Sequence, residues 1–240
     1  MIVGALAAIL GSPPVPQGSW EREATFASAA ALRGTGEPPR ETQKEAPKET
    51  AERLAGRLRA VPGVGRVDVR PNGFLVIAVT EPEDVLTDVP PAEPAPREAL
   101  LPVTGTGPWP DFPRTWDNPG FAVRYAYARA EAVRRWARDL GVATGAGARP
   151  GRLDGPYDRA VLRVLAELPS RRESRDPGWP AYLERLAAAY HDAFEHAAPI
   201  PQGDEEPSDV HAARVRLGEA VRAVLATGLR ELGVTPPHKI

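Results

Sequence analysis

Arg129 and Arg214 are the residues whose placement asks for a chemical explanation. At about 100° per residue, the stretch 115–140, TWDNPGFAVRYAYARAEAVRRWARDL, puts Ala122, Tyr125, Ala126, Val133, Trp136 and Leu140 on one side of a helix. Arg124, Glu131, Arg135 and Arg138 fall on the other side, while Arg129 points into the middle of the apolar one. The last helical stretch repeats the pattern. Leu217, Val221, Val224, Leu225, Gly228 and Leu232 set an apolar face with Arg214 at its edge, and Arg216, Arg222 and Arg230 lie off it. A guanidinium taken out of water is costly unless a carboxylate, a carbonyl or a bound phosphate meets it. Two chemistries fit: a clamp inside the helical core, or contact with RNA. In the second, Tyr127, on the polar side, stacks an unpaired base. Tyr125 and Trp136 are expected to pack in the core.

Little else in the chain suggests a reaction. His191, His196, His211 and His238 are not spaced as a helical metal pair and bring no third ligand. There is no Gly-rich phosphate loop and no Gly-x-Ser-x-Gly elbow. With no cysteine there is no disulfide and no thiolate, and a reducing, cytoplasmic setting is the natural expectation. Asp204-Glu205-Glu206 sits in a Pro/Gly loop and reads as solvated surface. No catalytic residue, metal or cofactor is expected. The net charge of −2 removes a global basic signal for nucleic acid but leaves room for a local basic face.

The elements that must position these residues follow from pattern. The opening MIVGALAAIL has no Lys or Arg before Arg22 and is too short to cross a bilayer. A buried first helix or strand is expected there. WEREATFASAAALR (20–33) reads as a short helix. KETAERLAGRLRAV (48–61) carries a helical stripe of Ala51, Leu54, Ala55, Leu58 and Val61, ended by Pro62-Gly63. Two β-rich runs, 65–70 and 73–79, flank Pro71-Asn72-Gly73, a hairpin signal. Residues 1–80 thus form a small α+β unit. The 28 prolines and 22 glycines exceed what one compact domain uses and predict long unstructured segments. From Glu81 to Pro113 the composition collapses into Pro, Glu, Ala, Gly and Thr with no period, which reads as a stiff, partly extended linker. Four amphipathic helices follow, at about 119–140, 155–168 (stopped by Pro169), 179–197 and 209–232, the last capped by Ser208 or Asp209. The fold class is an α+β unit, with helices and a small antiparallel sheet, joined by a Pro-rich linker to an all-α bundle over 114–240.

The helix carrying Arg129 also resembles a known family. NPGFAVRYAYAR is similar to the start of the anticodon-binding domain of arginyl-tRNA synthetases, whose usual form is Asn-Pro-x-aromatic-Tyr-Val-Gln-Tyr-Ala-His-Ala-Arg. Asn118, Pro119, Phe121, Val123, Tyr125, Ala126, Ala128 and Arg129 match; Ala122, Arg124 and Tyr127 replace Tyr, Gln and His. The likeness continues through VLRVLAELP, DPGWPAYLERLAAAYHDAF and AARVRLGEAVRAVLATGLRELGV, with Arg214 on the family's Ala-Arg-Leu motif. The family's terminal Met is Ile240 here. More weakly, REATFASAAALR, PPRET, AERLAGRLRAVPGVGRVDV and PNGFLVIAV resemble the N-terminal additional domain of the same enzymes, which contributes to recognition of the tRNA elbow.

The resemblance implies a DALR-type anticodon-binding protein whose partner is tRNA, with Asn118, Arg124, Tyr127, Arg129, Arg135, Arg138 and Arg214 as candidate RNA-binding residues. In the family a nucleotide-binding catalytic domain lies between the two parts. Here only 81–113 occupies that place, too short to bury the sheet that binding ATP and arginine requires. A non-catalytic protein binding the anticodon stem-loop is expected. The alternative is an interaction subunit for a full-length tRNA synthetase or an enzyme using charged tRNA. No membrane partner is expected.

Overall fold

Pro71-Asn72-Gly73 does turn the chain. In the computed structural model, which describes residues 1–33, 47–91, 109–143, 153–176, 178–237 and 240, Gly73 takes a positive φ of 83° that a side chain would resist. The flanking strands, β3 (Val64–Val69) and β4 (Leu75–Val79), pair antiparallel with Val67 opposite Ile77. With β1 (Val15–Gln17) and β2 (Ala24–Ser28) they form a four-stranded antiparallel sheet in the order β1-β2-β4-β3. Before it comes α1 (Ile2–Leu10), and α2 (Pro47–Leu58) packs against α1 and β3. Leu6, Trp20, Phe26, Leu58, Leu75 and Ile77 are fully buried.

Two expectations for this unit are corrected. The alanine-rich stretch 20–33 is not a helix: it forms β2 and a 3-10 turn, Ala30–Leu32. Phe26 is paired on both sides, to Pro16 and Ile77. The burial of Ala24, Phe26 and Ser28 alternates with period two, so tertiary pairing overrides alanine's helical preference. The linker assigned from residue 81 is folded at its start. Pro82–Asp88 is a 3-10 helix, and the Asp88 carboxylate accepts from the N–H groups of Val3 at 2.9 Å and Gly4 at 3.1 Å. A carboxylate there satisfies two donors that the first turn of α1 leaves open and meets its positive dipole end. Residues 92–108, most of the expected linker, lie outside the described residues, as do 34–46.

The second region is helical: α3 (Pro119–Asp139), α4 (Pro156–Leu165), α5 (Leu168–Glu173), α6 (Trp179–His196) and α7 (Asp209–Glu231). α3 packs on α6 and α7, α4 on the same two helices, and α6 on α7. Gly228 lets α7 approach α6 closely, since a Cβ there would lie 2.5 Å from Leu183 Cδ2. Ser208 caps α7 by accepting from the His211 N–H. Pro169 does not simply stop a helix; it sits in the first turn of α5, where no N–H is missed. By contacts the chain divides into two units, Met1–Asp88 with Ala166–Asp176, and Val89–Leu165 with Pro177–Ile240. The short α5 therefore groups with the first unit rather than the bundle. Among the described residues no helix is long and apolar enough to cross a membrane.

Candidate nucleic-acid interface

Asn118 starts α3 and is consumed in doing so. Its Oδ1 accepts from Gly120 N–H at 3.0 Å, and its Nδ2 donates to the carbonyls of Pro110 at 2.9 Å and Pro113 at 2.8 Å. Arg124 joins the same anchor by donating from Nη2 to the Trp109 carbonyl at 3.0 Å. The approach is close: a Cβ on Gly120 would stand 2.8 Å from Pro110 O and from Trp109 Cβ. Arg124 is thus half-buried, not displayed on an open polar face. Its Nη1 has no hydrogen-bond partner among the described residues, and burial lowers its pKa.

The buried side of α3 is rotated from the expected one by about one helical step, ~100°. Val123, Ala126, Tyr127, Ala130, Glu131, Val133 and Ala137 are buried, whereas Trp136 and Leu140, expected inside, are 44% and 46% exposed. Tyr127 is only 5% exposed and is no stacking residue. Alanines at 122, 126, 128, 130, 132 and 137 let either side of this helix be buried, and contact with two helices at once chooses the wider face. Glu131, read as a polar-side residue, is buried and accepts from Arg222 of α7 at 3.0 Å and Arg134 at 3.2 Å. Neither Glu131 nor Arg222 was legible as a partner, because both lie off the apparent apolar faces.

Arg129 sits at the edge of the true buried face. Its guanidinium lies over the rings of Phe194 at 4.2 Å and Tyr125 at 4.9 Å, a favourable cation–π arrangement. Nη1 donates to His191 Nδ1 at 3.2 Å and pairs with Glu195 Oε1, also at 3.2 Å. His191 Nε2 in turn donates to the Ala122 carbonyl at 3.1 Å, which fixes the tautomer that accepts from Arg129. Burial pushes the imidazole below its ordinary value, with the Arg129 charge adding to the effect, so this histidine is neutral near pH 7. Around it stands an aromatic cluster: Trp116 meets His191, Tyr125 and Phe121 edge-on at 4.9, 5.2 and 5.9 Å.

Arg214 ties α7 to α4. Nε lies 3.2 Å from Asp158 Oδ1, Nη2 lies 3.1 Å from Oδ2, and Nη1 donates to the Ala198 carbonyl at 3.2 Å. The Asp158 side chain is 2% exposed. Burial pushes its carboxyl up, and the hydrogen bond and charge of Arg214 work against that. Asp158 also escaped the sequence reading, since a lone Asp in a first helical turn usually faces water.

Of the seven candidate residues, Arg135 and Arg138 remain. Their side chains make no hydrogen bond or ion pair among the described residues, and Arg138 is exposed. They stand on the last turns of α3, with the exposed Trp136 and Leu140 on another side of the same turns. In the other unit, an open groove of about 500 Å³ is lined by Gln17, Ala27, Arg70, Pro71, Asn72, Phe74 and Val76. Among the described residues no group of three or more His, Asp or Glu could hold a metal ion.

This helical architecture has a family. Residues 123–240 match the DALR anticodon binding domain. The C-terminal half of the chain is therefore a DALR anticodon-binding domain, related to that of arginyl-tRNA synthetases. Among curated proteins, the arginine–tRNA ligase of Clavibacter sepedonicus is 42% identical over 132 residues, covering 53% of this chain and 24% of that one. The chain thus matches about a quarter of that relative's length. No solved structure matches it.

Proposed function

We propose that this protein binds the anticodon stem-loop of a tRNA and does so without aminoacylating it. The observation that carries the reading is the DALR anticodon binding domain over residues 123–240, on a bundle that commits its inward arginines to protein partners and leaves Arg135 and Arg138 uncommitted. Arg135 and Arg138 meet phosphates, and loop bases are read by stacking and by their edges. The N-terminal unit, by its likeness to the additional domain, adds a contact at the tRNA elbow through the groove beside Arg70, Asn72 and Phe74. The non-catalytic part rests on residues 81–113, which leave no length for a nucleotide-binding sheet between the two folded parts. A cytoplasmic location fits such a partner.

Direct binding tests the first part. The full chain is titrated with tRNA and with an unrelated RNA of equal length over a salt series. Micromolar or tighter binding to tRNA that weakens with salt is expected; equal affinity for the two RNAs at low salt sinks the reading. ATP–pyrophosphate exchange with arginine tests the second part, and turnover above blank refutes it.

A further inference from the structure

We propose that Trp116 is a preformed stacking platform for one unpaired RNA base, at the junction of α3 and α6. The inference rests on the reading of the bundle as RNA-binding and adds a residue that lies ahead of the family match at 123–240.

Three observations support it. Trp116 is 59% exposed, an expensive way to leave an indole that merely fills space. It is nonetheless held in place: Phe121, Tyr125 and His191 contact it with interplanar angles of 64°, 80° and 78°, the edge-to-face geometry aromatic rings favour. No ring among the described residues lies parallel on it. The molecule does make parallel stacks where it needs them, since Tyr157 and His196 lie 4.4 Å apart at 12°. With more than half of its surface exposed and no parallel ring on it, Trp116 has room for a planar nucleobase to stack.

The charges near the indole are already paired: Arg129 lies over the Tyr125 ring and pairs with Glu195, and Arg114 pairs with Asp111 at 2.9 Å and lies over the Phe112 ring. The uncovered part of the indole therefore offers a partner an apolar, planar contact rather than a charge, which suits the face of an unpaired base. Base–aromatic stacking is sequence-tolerant because every base has a π face, so the platform contributes affinity for a loop without choosing its sequence.

The test uses the full chain, its Trp116→Ala and Trp116→Phe variants, and two RNA hairpins: the anticodon arm of an arginine tRNA, and the same arm with its loop paired into a duplex closed by a short tether. Trp116→Ala is expected to weaken binding to the open loop about ten-fold or more and to leave the paired arm unchanged. Trp116→Phe keeps most of the affinity. Saturation with the open loop quenches the wild-type emission, and Trp116→Phe lacks that increment, which assigns it to one of the five tryptophans. Equal melting temperatures show that the exposed position tolerates both changes. Undiminished loop binding by Trp116→Ala, or an equal loss on both hairpins, overturns the platform while RNA binding stands. Failure of the unmodified chain to bind either hairpin overturns the anticodon-arm reading itself, and the platform with it.

Discussion

The first two-thirds of α3 and its last two turns share a composition rich in arginine, alanine and aromatic residues, yet their side chains meet different fates. In the first part every notable polar group has a protein partner. Asn118 caps the helix and holds two carbonyls, Arg124 donates to Trp109, and Arg129 lies between two rings, a histidine and a carboxylate. In the last turns Arg135 and Arg138 have no such partner among the described residues, and Trp136 and Leu140 are exposed. The difference shows that an arginine's place on a helical projection does not assign its work. The neighbouring helices do, by supplying acceptors or withholding them.

The largest effect that would break the comparison is expected at the other inward arginine. Arg214→Ala leaves the Asp158 carboxyl buried without its partner, and should cost about 3 kcal/mol of stability, read as a lower melting temperature. Arg129→Ala should cost about 2 kcal/mol, from the two ring contacts and the lost anchor for His191. In both variants stability should fall before RNA affinity does; affinity lost at an unchanged melting temperature would move Arg129 or Arg214 to the RNA side.

Arg135→Ala combined with Arg138→Ala should do the reverse. Melting should shift by less than about 0.5 kcal/mol equivalent. Binding to tRNA should weaken, and the slope of log affinity against log salt should fall by roughly 0.7–0.9 for each phosphate contact removed. An unchanged slope would place the RNA on another face.

The smallest effect concerns pH. The folded state holds His191 below its ordinary value of 6.5, so in the window just under that value the unfolded chain binds a proton that the folded chain refuses. Stability of the helical unit should therefore decline as pH falls through the window. His191→Gln should flatten that part of a stability-versus-pH curve, and an unaltered curve would assign the decline to other groups.

Much of the fold was legible because it depends on local signals. The stripe of Leu54 and Leu58, the Pro71-Asn72-Gly73 turn, Ser208 before α7 and Asn118-Pro119 before α3 all mark element boundaries through chain geometry. The rotation of α3 was not legible. Six alanines leave its sides nearly equal in hydrophobicity, and its contact with two helices is a tertiary fact. The strand at Ala24–Ser28 was hidden for a related reason, since its partners β1 and β4 come from either side of it in the chain. Within the candidate interface, inward arginines could be recognised but their partners could not. Asp158 is 56 residues from Arg214, and no local pattern links them. Trp116 carried no signal at all, because its interest lies in being both held and uncovered.

The seat that Asn118, Gly120 and Arg124 build for the Trp109–Pro113 backbone has a practical consequence for anyone dividing this protein. The bundle begins, in mechanical terms, at a buried tryptophan within the proline-rich stretch, well ahead of Val123. A fragment cut at the family boundary would lose Trp109, Asn118, Gly120 and the first turn of α3 together, and would leave Arg124 without the carbonyl it holds. Grafts, fusions and truncations should therefore carry the tail of the proline-rich stretch along with the helices.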